Sequence, residues 1–422
     1  MKKFTLLLFA LATLFVTNIS AQNFDLSAEV RPRFESKHGY KTLLPTGADG
    51  ANFISQRTRL NFKFQQDKIK FGMTLQNVRV WGDVSTLSSN DNANSFHEAW
   101  AEAILSDKVS MKMGRQEIVY DDHRIFGNVG WAQQARSHDA FIFKYTPKAD
   151  QRLDIGLALN ADGQGGLDAL YSNAAGYKAL QYAWYHGKFD KLGLSVLLLN
   201  TGIEYLDEKE EQTVDYMQTI GPRFTYKSGA FSANAAAYFQ TGKRVNLDVS
   251  AAYFAGNLGY KVSDNFSIGA GMEYLSGKDQ NDADTDVKSF APLFGTNHKF
   301  NGWMDYFYVG NHGGSVGLTD INATLGYKKD KFSAKLIPHF FSAAADVYDD
   351  TNQKMDSNLG TEVDFTMGYK IANNITMKAG YSMMFATDTM QALKGGDKDE
   401  TNTWGWVMFV FKPKLFSYSP KQ

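Results

Sequence analysis

The sequence contains no cysteine and only 8 prolines in 422 residues. The absence of cysteine excludes a disulfide framework and any thiolate metal site. Beyond its N-terminus, the chain has no apolar run of the roughly 20 residues that a membrane-spanning helix requires. A net charge of −1 gives no reason to expect a nucleic-acid partner. The chain is instead rich in glycine (37), phenylalanine (31) and tyrosine (21), at a mean hydropathy of −0.35. This composition suits strands with one apolar face.

The N-terminus has the three parts of a secretory leader. Lys2 and Lys3 precede an uncharged apolar stretch, Phe4–Val16, and the small residues Ser20-Ala21 follow it. The apolar stretch is too short to span a bilayer as a helix. We therefore predict a signal peptide over residues 1–21 and exclude it from the fold.

Apolar and polar residues alternate along most of the remaining chain, which is typical of strands. In the segment 54–64, Leu60, Phe62 and Phe64 alternate with Arg57 and Arg59. Four other segments show the same period: 24–37, 153–160, 266–275 and 363–370. A membrane barrel turns the apolar face to lipid and the polar face to its pore. Each of these runs is close to the length that a tilted membrane strand needs.

The connections between these strands alternate in length. Short polar turns are predicted at 65–68, 106–108, 227–229, 262–265, 328–331 and 371–374. Longer loops are predicted at 38–51, 84–95, 276–314 and 346–360. Short periplasmic turns and long extracellular loops are typical of outer-membrane barrels. We expect an all-β, up-and-down antiparallel transmembrane barrel of about eighteen strands, formed by a single domain over residues 22–422 and ending in an aromatic strand, Thr403–Phe416.

The first third of the chain carries a distinctive set of short motifs: Gly114-Arg115-Gln116, Asp121, Arg124, Gly127, Val129-Gly130-Trp131, Gln133 and Asp139-Ala140, with Arg31-x-Arg33-x-Glu35, Gln56-Arg57-x-Arg59-Leu60, Val78 to Gly82 and Glu98-Ala99-Trp100. In these motifs the chain resembles the alginate-export family of outer-membrane proteins. The resemblance implies an eighteen-stranded barrel in the bacterial outer membrane. It also implies an arginine-rich constriction that conducts an anionic polysaccharide.

Arginine is unevenly distributed, since eight of the eleven arginines precede residue 137. Adjacent strands of an up-and-down barrel are neighbours in sequence. We therefore expect these side chains to form one wall of the pore and to bind substrate carboxylates: Arg31, Arg33, Arg57, Arg59, Arg79, Arg115, Arg124 and Arg136. Guanidinium groups stay charged and bind carboxylates through two hydrogen bonds.

Two observations weigh against a complete arginine belt. Carboxylates lie in the same strands and could simply brace the barrel through ion pairs: Glu29, Glu35, Glu98, Glu102, Glu117 and Asp139. After Arg136 only three arginines remain. The far wall would then depend on Lys335, Lys370 and Lys378, which puts alginate itself in doubt more than a preference for anions.

The segment 116–135 is a second candidate for a pore-lining element. Its glycines and Trp131 suit either a constriction folded into the lumen or an ordinary surface loop.

The segment Gly313-Gly314-Ser315-Val316-Gly317 has the letters of a nucleophile elbow, but no strand–turn–helix context accompanies it. The aspartates of 279–286 have calcium-loop spacing without the turn glycine or the terminal glutamate. We expect no catalytic residue, cofactor or metal site.

Four functions are weighed. We favour a channel that passes an anionic, alginate-like polysaccharide across the outer membrane. The alternative is a general or substrate-specific porin for uptake of small anions or sugars. An enzyme is disfavoured by the missing triad, and an adhesin would need a closed lumen. The expected partners are outer-membrane lipid, an anionic polysaccharide or small anionic solute, and a periplasmic export machinery.

Overall fold

The computed structural model describes residues 22–420, apart from residues 91–92, 166–168 and 172–175. The proposed signal peptide lies outside the described residues. Within them, the strands are β1 (Gln22–His38), β2 (Ala51–Gln66), β3 (Ile69–Val80), β4 (Asn94–Ser106), β5 (Val109–Gln116), β6 (His138–Lys148), β7 (Gln151–Leu159), β8 (Ala179–Phe189), β9 (Leu192–Leu206), β10 (Gln212–Ser228), β11 (Phe231–Arg244), β12 (Leu247–Lys261), β13 (Phe266–Leu275), β14 (Leu318–Lys329), β15 (Phe332–Ser342), β16 (Asn358–Ala372), β17 (Ile375–Ala386), β18 (Asn402–Phe411) and β19 (Lys414–Tyr418).

The sheet closes on itself. Each strand from β1 to β17 pairs antiparallel with the next, and β1 pairs with β2 on one side and with both β18 and β19 on the other. Val30 of β1 lies opposite Phe411, and Ser27 lies opposite Lys414, so β18 and β19 continue each other. Pro413, which has no N–H to donate, lies at the break between them. The barrel therefore has eighteen strands, which confirms the predicted fold class.

The two ends of the barrel differ in their connections. Seven of the connections at one end are two-residue turns, at 67–68, 107–108, 149–150, 190–191, 229–230, 330–331 and 373–374, and a four-residue turn at 262–265 completes this short-turn end. Long loops cover the other end, at 39–50, 81–93, 117–137, 160–178, 276–317, 343–357 and 387–401. Two connections at this long-loop end are short, 207–211 and 245–246. In the second, Val245 and Asn246 both have positive φ angles (50° and 63°), as a tight hairpin requires.

The outer wall is apolar and the inner wall is polar, as the alternation predicted. On β2, Leu60 is 38% exposed at the outer surface, whereas Arg57 on the opposite face is 5% exposed. Phe239 and Ile321 are about half exposed on other strands. A continuous outward-facing band of large apolar side chains around a barrel is typical of a surface that faces hydrocarbon. None of the described helices is long and apolar enough to cross a bilayer.

Much of the lumen is occupied by two loops from the long-loop end. In the loop 117–137, Phe126 is 1% exposed, and in the loop 276–317, Met304 and Tyr306 are completely buried. A 3-10 helix (Asn297–Lys299) and the short helix α1 (Val309–His312) lie in the second loop, and α2 (Asp388–Lys394) lies in the last one. These loops place a packed core inside a barrel that the strands alone would leave open.

Candidate functional site

Arg31 points into the lumen and holds the loop 117–137. Its Nη1 donates to the carbonyl of Gly130 at 2.7 Å, and its Nη2 donates to the carbonyls of Trp131 and Ala132. Nη2 and Nε also bind the Gln133 Oε1 atom, at 2.8 and 3.1 Å. All three guanidinium nitrogens are thus bound to the loop, and the side chain is buried.

Arg33 and Arg57 also face the lumen, and both are neutralised by carboxylates. Arg33 binds Glu35 at 2.9 Å and stacks on Trp131, with its guanidinium carbon 3.9 Å from the ring centre. Arg57 donates from Nε and Nη2 to one oxygen of Glu29, at 2.8 and 2.5 Å. Such buried, paired guanidinium groups brace an interior and leave little charge to attract a solute.

Arg59 differs from these three arginines. Its Nε donates to Gln76 at 2.8 Å, but its Nη2 is buried without a hydrogen-bond partner in the described part of the chain. It lines a cavity of about 790 Å³ beneath the loop 117–137, which Glu98 and Glu117 also line. Arg59 is therefore the arginine of this cluster with a donor left to offer.

Arg79 and Arg115 lie on the outer face of the barrel. Arg79 is paired in register with Gln56, which is on the opposite face of β2 from Arg57. Arg115 has the same strand parity as the exposed Met113, and its Nη1 donates to Asp139 at 2.7 Å. The structure therefore does not bring these two residues to the lumen cluster.

Arg124 and Arg136 connect the two inward loops with each other and with the wall. Arg124 is 2% exposed and forms an ion pair with Glu273 of β13 at 3.0 Å. Burial opposes its charge, but Glu273, Tyr253 and Asp122 together outweigh burial and raise the pKa of Arg124. Arg136 donates to the carbonyl of Gly295 at 3.0 Å. Both residues fix the plug formed by the two loops.

The plug is also stabilised by aromatic stacking and main-chain hydrogen bonds. The Gly127 N–H donates to the Phe294 carbonyl at 2.9 Å, which joins one loop to the other. Trp131 stacks on His298, with ring centres 4.8 Å apart, and contacts Trp406 at the same distance. Aromatic contacts of this kind contribute roughly 0.5–1.5 kcal/mol each beyond the apolar area that they bury. The segment 116–135 thus lies inside the barrel.

The charge available to a solute lies on the far wall. Lys335 and Lys378 both face the lumen near the short-turn end, together with Lys261 and Lys328, and all four line a cavity of about 480 Å³. Within the described residues, none of these four forms an ion pair. Lys370 shares the lumen-facing parity but lies closer to the turn.

Lys261 and Lys328 were not among the predicted site residues. Each lies next to a polar turn, where a lysine is usually taken as an ordinary surface charge. Strand parity would have revealed them, since Asn257, Gly259 and Lys261 alternate with outward-facing Leu258 and Tyr260.

The remaining motifs show no catalytic or metal-binding geometry. Ser315 donates its hydroxyl to the main-chain carbonyl of His312 at 2.5 Å, not to its imidazole. Burial lowers the pKa of His312 to about 3. In the loop 279–286, Asp282 and Asp284 are bound to Lys288 at 2.8 and 2.9 Å. No group of three potential metal ligands is found among the described residues.

Comparison with known proteins finds a matching family model and solved structures of similar fold. The family model described as alginate export matches residues 22–404. Among solved structures, the chain is similar to Pseudomonas aeruginosa OccK8 (OprE), with a TM-score of 0.61 at 13% identity, covering 93% of this chain and 98% of that one. It is also similar to Pseudomonas aeruginosa OpdK with vanillate, with a TM-score of 0.59 at 10% identity, covering 94% of this chain and 99% of that one. At these identities the structures show the fold alone. A search of the curated proteins finds no match.

Proposed function

Because this chain belongs to the alginate export family, and is thus an outer-membrane barrel of the channel type, we propose that it conducts anionic solutes, foremost an acidic polysaccharide of the alginate kind. The short-turn end then faces the periplasm and the long-loop end faces the outside. The preference of the channel for anions and the identity of its solute are the two properties that we propose.

The observation that carries the proposal is the unpaired lysine cavity near the periplasmic end. A lysine ammonium is a compact, hydrated point charge that holds a carboxylate without fixing its orientation. Lys335 and Lys378 form no ion pair within the described residues, although Asp264 also lines the cavity, and Ser267 and Thr366 add hydroxyl groups to it. Conduction needs sites that bind an ion and release it again, and such a surface meets both demands.

The expected arginine path is revised by the contacts. Arg31, Arg33 and Arg57 are occupied by the loop 117–137 or by glutamates, so we assign them to bracing the plug. Arg59 lines the cavity beneath the loop 117–137 and forms no ion pair within the described residues, so it remains a candidate for solute contact. A solute path along the lysine wall, with Arg59 opposite, replaces an arginine belt.

Uptake of small acids is a second candidate, because the packed loops inside the barrel narrow the space for a polymer. OpdK, a barrel of similar fold, has vanillate in its structure, a small carboxylate that such a narrowed lumen could accommodate. The two functions share the anion preference and differ in the size of solute that they admit.

The test is the reversal potential of the purified barrel in a planar bilayer under a potassium chloride gradient. We expect anion selectivity, which the double variant Lys335→Glu/Lys378→Glu should abolish or invert. The matched control Lys68→Glu/Lys331→Glu changes the same charge in two periplasmic turns and should retain most of the selectivity. A cation-selective native channel would refute the proposal.

Solute size distinguishes the two candidates in the same apparatus. Current blockade by polygalacturonate oligomers that escape through the pore at high voltage would support conduction of a polysaccharide. Blockade by galacturonate or vanillate alone, with oligomers excluded, supports the small-acid porin.

A further inference from the structure

Lysines line the lumen of the periplasmic end around much of its circumference. We define the lysine collar as Lys63, Lys227, Lys261, Lys328, Lys335 and Lys378. Each lies near the short-turn end of its strand, on the lumen-facing parity, and each is exposed. Lys63 shares its face of β2 with Arg57 and Arg59, and Lys227 shares its face of β10 with Arg223, which reaches the inward loop through Asp122. None of the six forms an ion pair within the described residues.

The extracellular end carries the opposite charge. Four loop segments, 207–211, 279–286, 346–356 and 397–400, contain fifteen acidic residues and three basic ones. Three lysines in or beside these segments neutralise only part of this charge through ion pairs: Lys288 binds Asp282 and Asp284, Lys354 binds Asp346, and Lys398 binds Asp399. The outer surface of the channel is therefore acidic, and its inner mouth is basic.

The two ends are far enough apart to act separately. Strand β10 has 17 residues, which corresponds to a length of roughly 55 Å at about 3.3 Å per residue. At physiological salt, charges are screened beyond about 8 Å. A solute at the periplasmic mouth thus interacts with the collar, and one outside interacts with the acidic loops.

From this asymmetry we propose that the channel captures polyanions faster at its periplasmic mouth than at its extracellular mouth. The inference rests on the proposed anion conduction. A passive pore cannot change the equilibrium across the membrane, but it can change where a solute enters. Attraction to a basic mouth increases the capture rate, and repulsion by acidic loops lowers it on the other side.

The test is the rate at which polygalacturonate oligomers block single channels when added to one side and then to the other. Because the chain has no cysteine, Ser89→Cys in an extracellular loop supplies a unique thiol. An impermeant maleimide added to one compartment then reports the orientation of each channel. At 0.1 M salt and extrapolated to zero voltage, we expect periplasmic capture at least about tenfold faster than extracellular capture. In 1 M salt the difference should nearly vanish.

A matched pair of variants locates the effect. Lys328→Gln/Lys335→Gln/Lys378→Gln removes three collar charges and should slow periplasmic capture severalfold. The control Lys68→Gln/Lys329→Gln/Lys331→Gln removes three charges from the turns and the outer face at the same end. It should change the rate of periplasmic capture little.

Equal capture rates from the two sides, or faster extracellular capture, would overturn the inference. If the channel is anion-selective but captures symmetrically, this inference fails and the proposed function stands. If the channel is not anion-selective, the proposed function itself fails.

Discussion

Arg31 offers a direct way to release the loop that occupies the lumen. The variant Arg31→Met keeps an unbranched side chain of moderate length but removes every donor to Gly130, Trp131, Ala132 and Gln133. No carboxylate within the described residues forms an ion pair with Arg31, so the substitution leaves no buried acid unpaired. Its effect should therefore be confined to the docking of the loop 117–137.

The magnitude follows from the contacts. A hydrogen bond from a charged group contributes roughly 1.5–3 kcal/mol, and bonds that share one guanidinium do not add fully. We therefore assign about 3 kcal/mol to the set. At about 1.4 kcal/mol per factor of ten, the ratio of displaced to docked loop should increase roughly a hundredfold.

The assay is single-channel conductance together with hydrogen exchange of residues 117–137. We expect larger and noisier currents and faster exchange in Arg31→Met. Arg115→Met, which removes an arginine from the outer face, is the matched control and should do neither. If Arg31→Met folds into a heat-modifiable barrel with native conductance and exchange, the bracing role assigned to this arginine is wrong.

Two further predictions concern buried charge. Among the described residues, Arg57→Met leaves Glu29 paired with Lys412 alone, at 3.0 Å, so the free energy of unfolding in denaturant should decrease by about 3 kcal/mol. Adding Glu29→Gln should restore much of this free energy. A double variant no more stable than the single one would contradict the ion-pair explanation. Burial in the last extracellular loop lowers the pKa of Lys394 to about 8. Between that value and the ordinary value near 10.5, the unfolded chain holds more protons than the folded one, so the free energy of unfolding should rise with pH over this window. Melting temperatures at pH 7.5 and 9.5 should show this rise in the native chain and not in Lys394→Met. Equal slopes in the two proteins would contradict the role assigned to Lys394.

The orientation of individual arginines was less predictable than the strands. Arg31, Arg33, Arg57 and Arg59 follow a regular alternation, and the structure places all four on the inner face. Arg79 and Arg115 lie near strand ends, where parity depends on the pairing register and on irregularities such as the positive φ of Gly114. A single-residue slip reverses the face of every following side chain.

The contents of the lumen were also beyond prediction from the sequence. The segment 116–135 was an open choice between a constriction and a surface loop, and its partner 276–317 was assigned only as a long loop. Their contact through Gly127 and Phe294 joins residues far apart in the chain. No local pattern encodes such a pairing, because its free energy comes from burying both loops at once.

The sequence by itself determined the class of the molecule. Period-two alternation, short turns opposite long loops and an even number of strands are local properties, and each residue contributes to them through its own polarity and backbone preference. Only the tertiary structure decided which charges a solute meets. Closing the barrel brings lysines from β12, β14, β15 and β17 into one cavity. The inward loop 117–137 and the glutamates of β1 occupy or neutralise most of the arginines that the alternation had turned toward the pore.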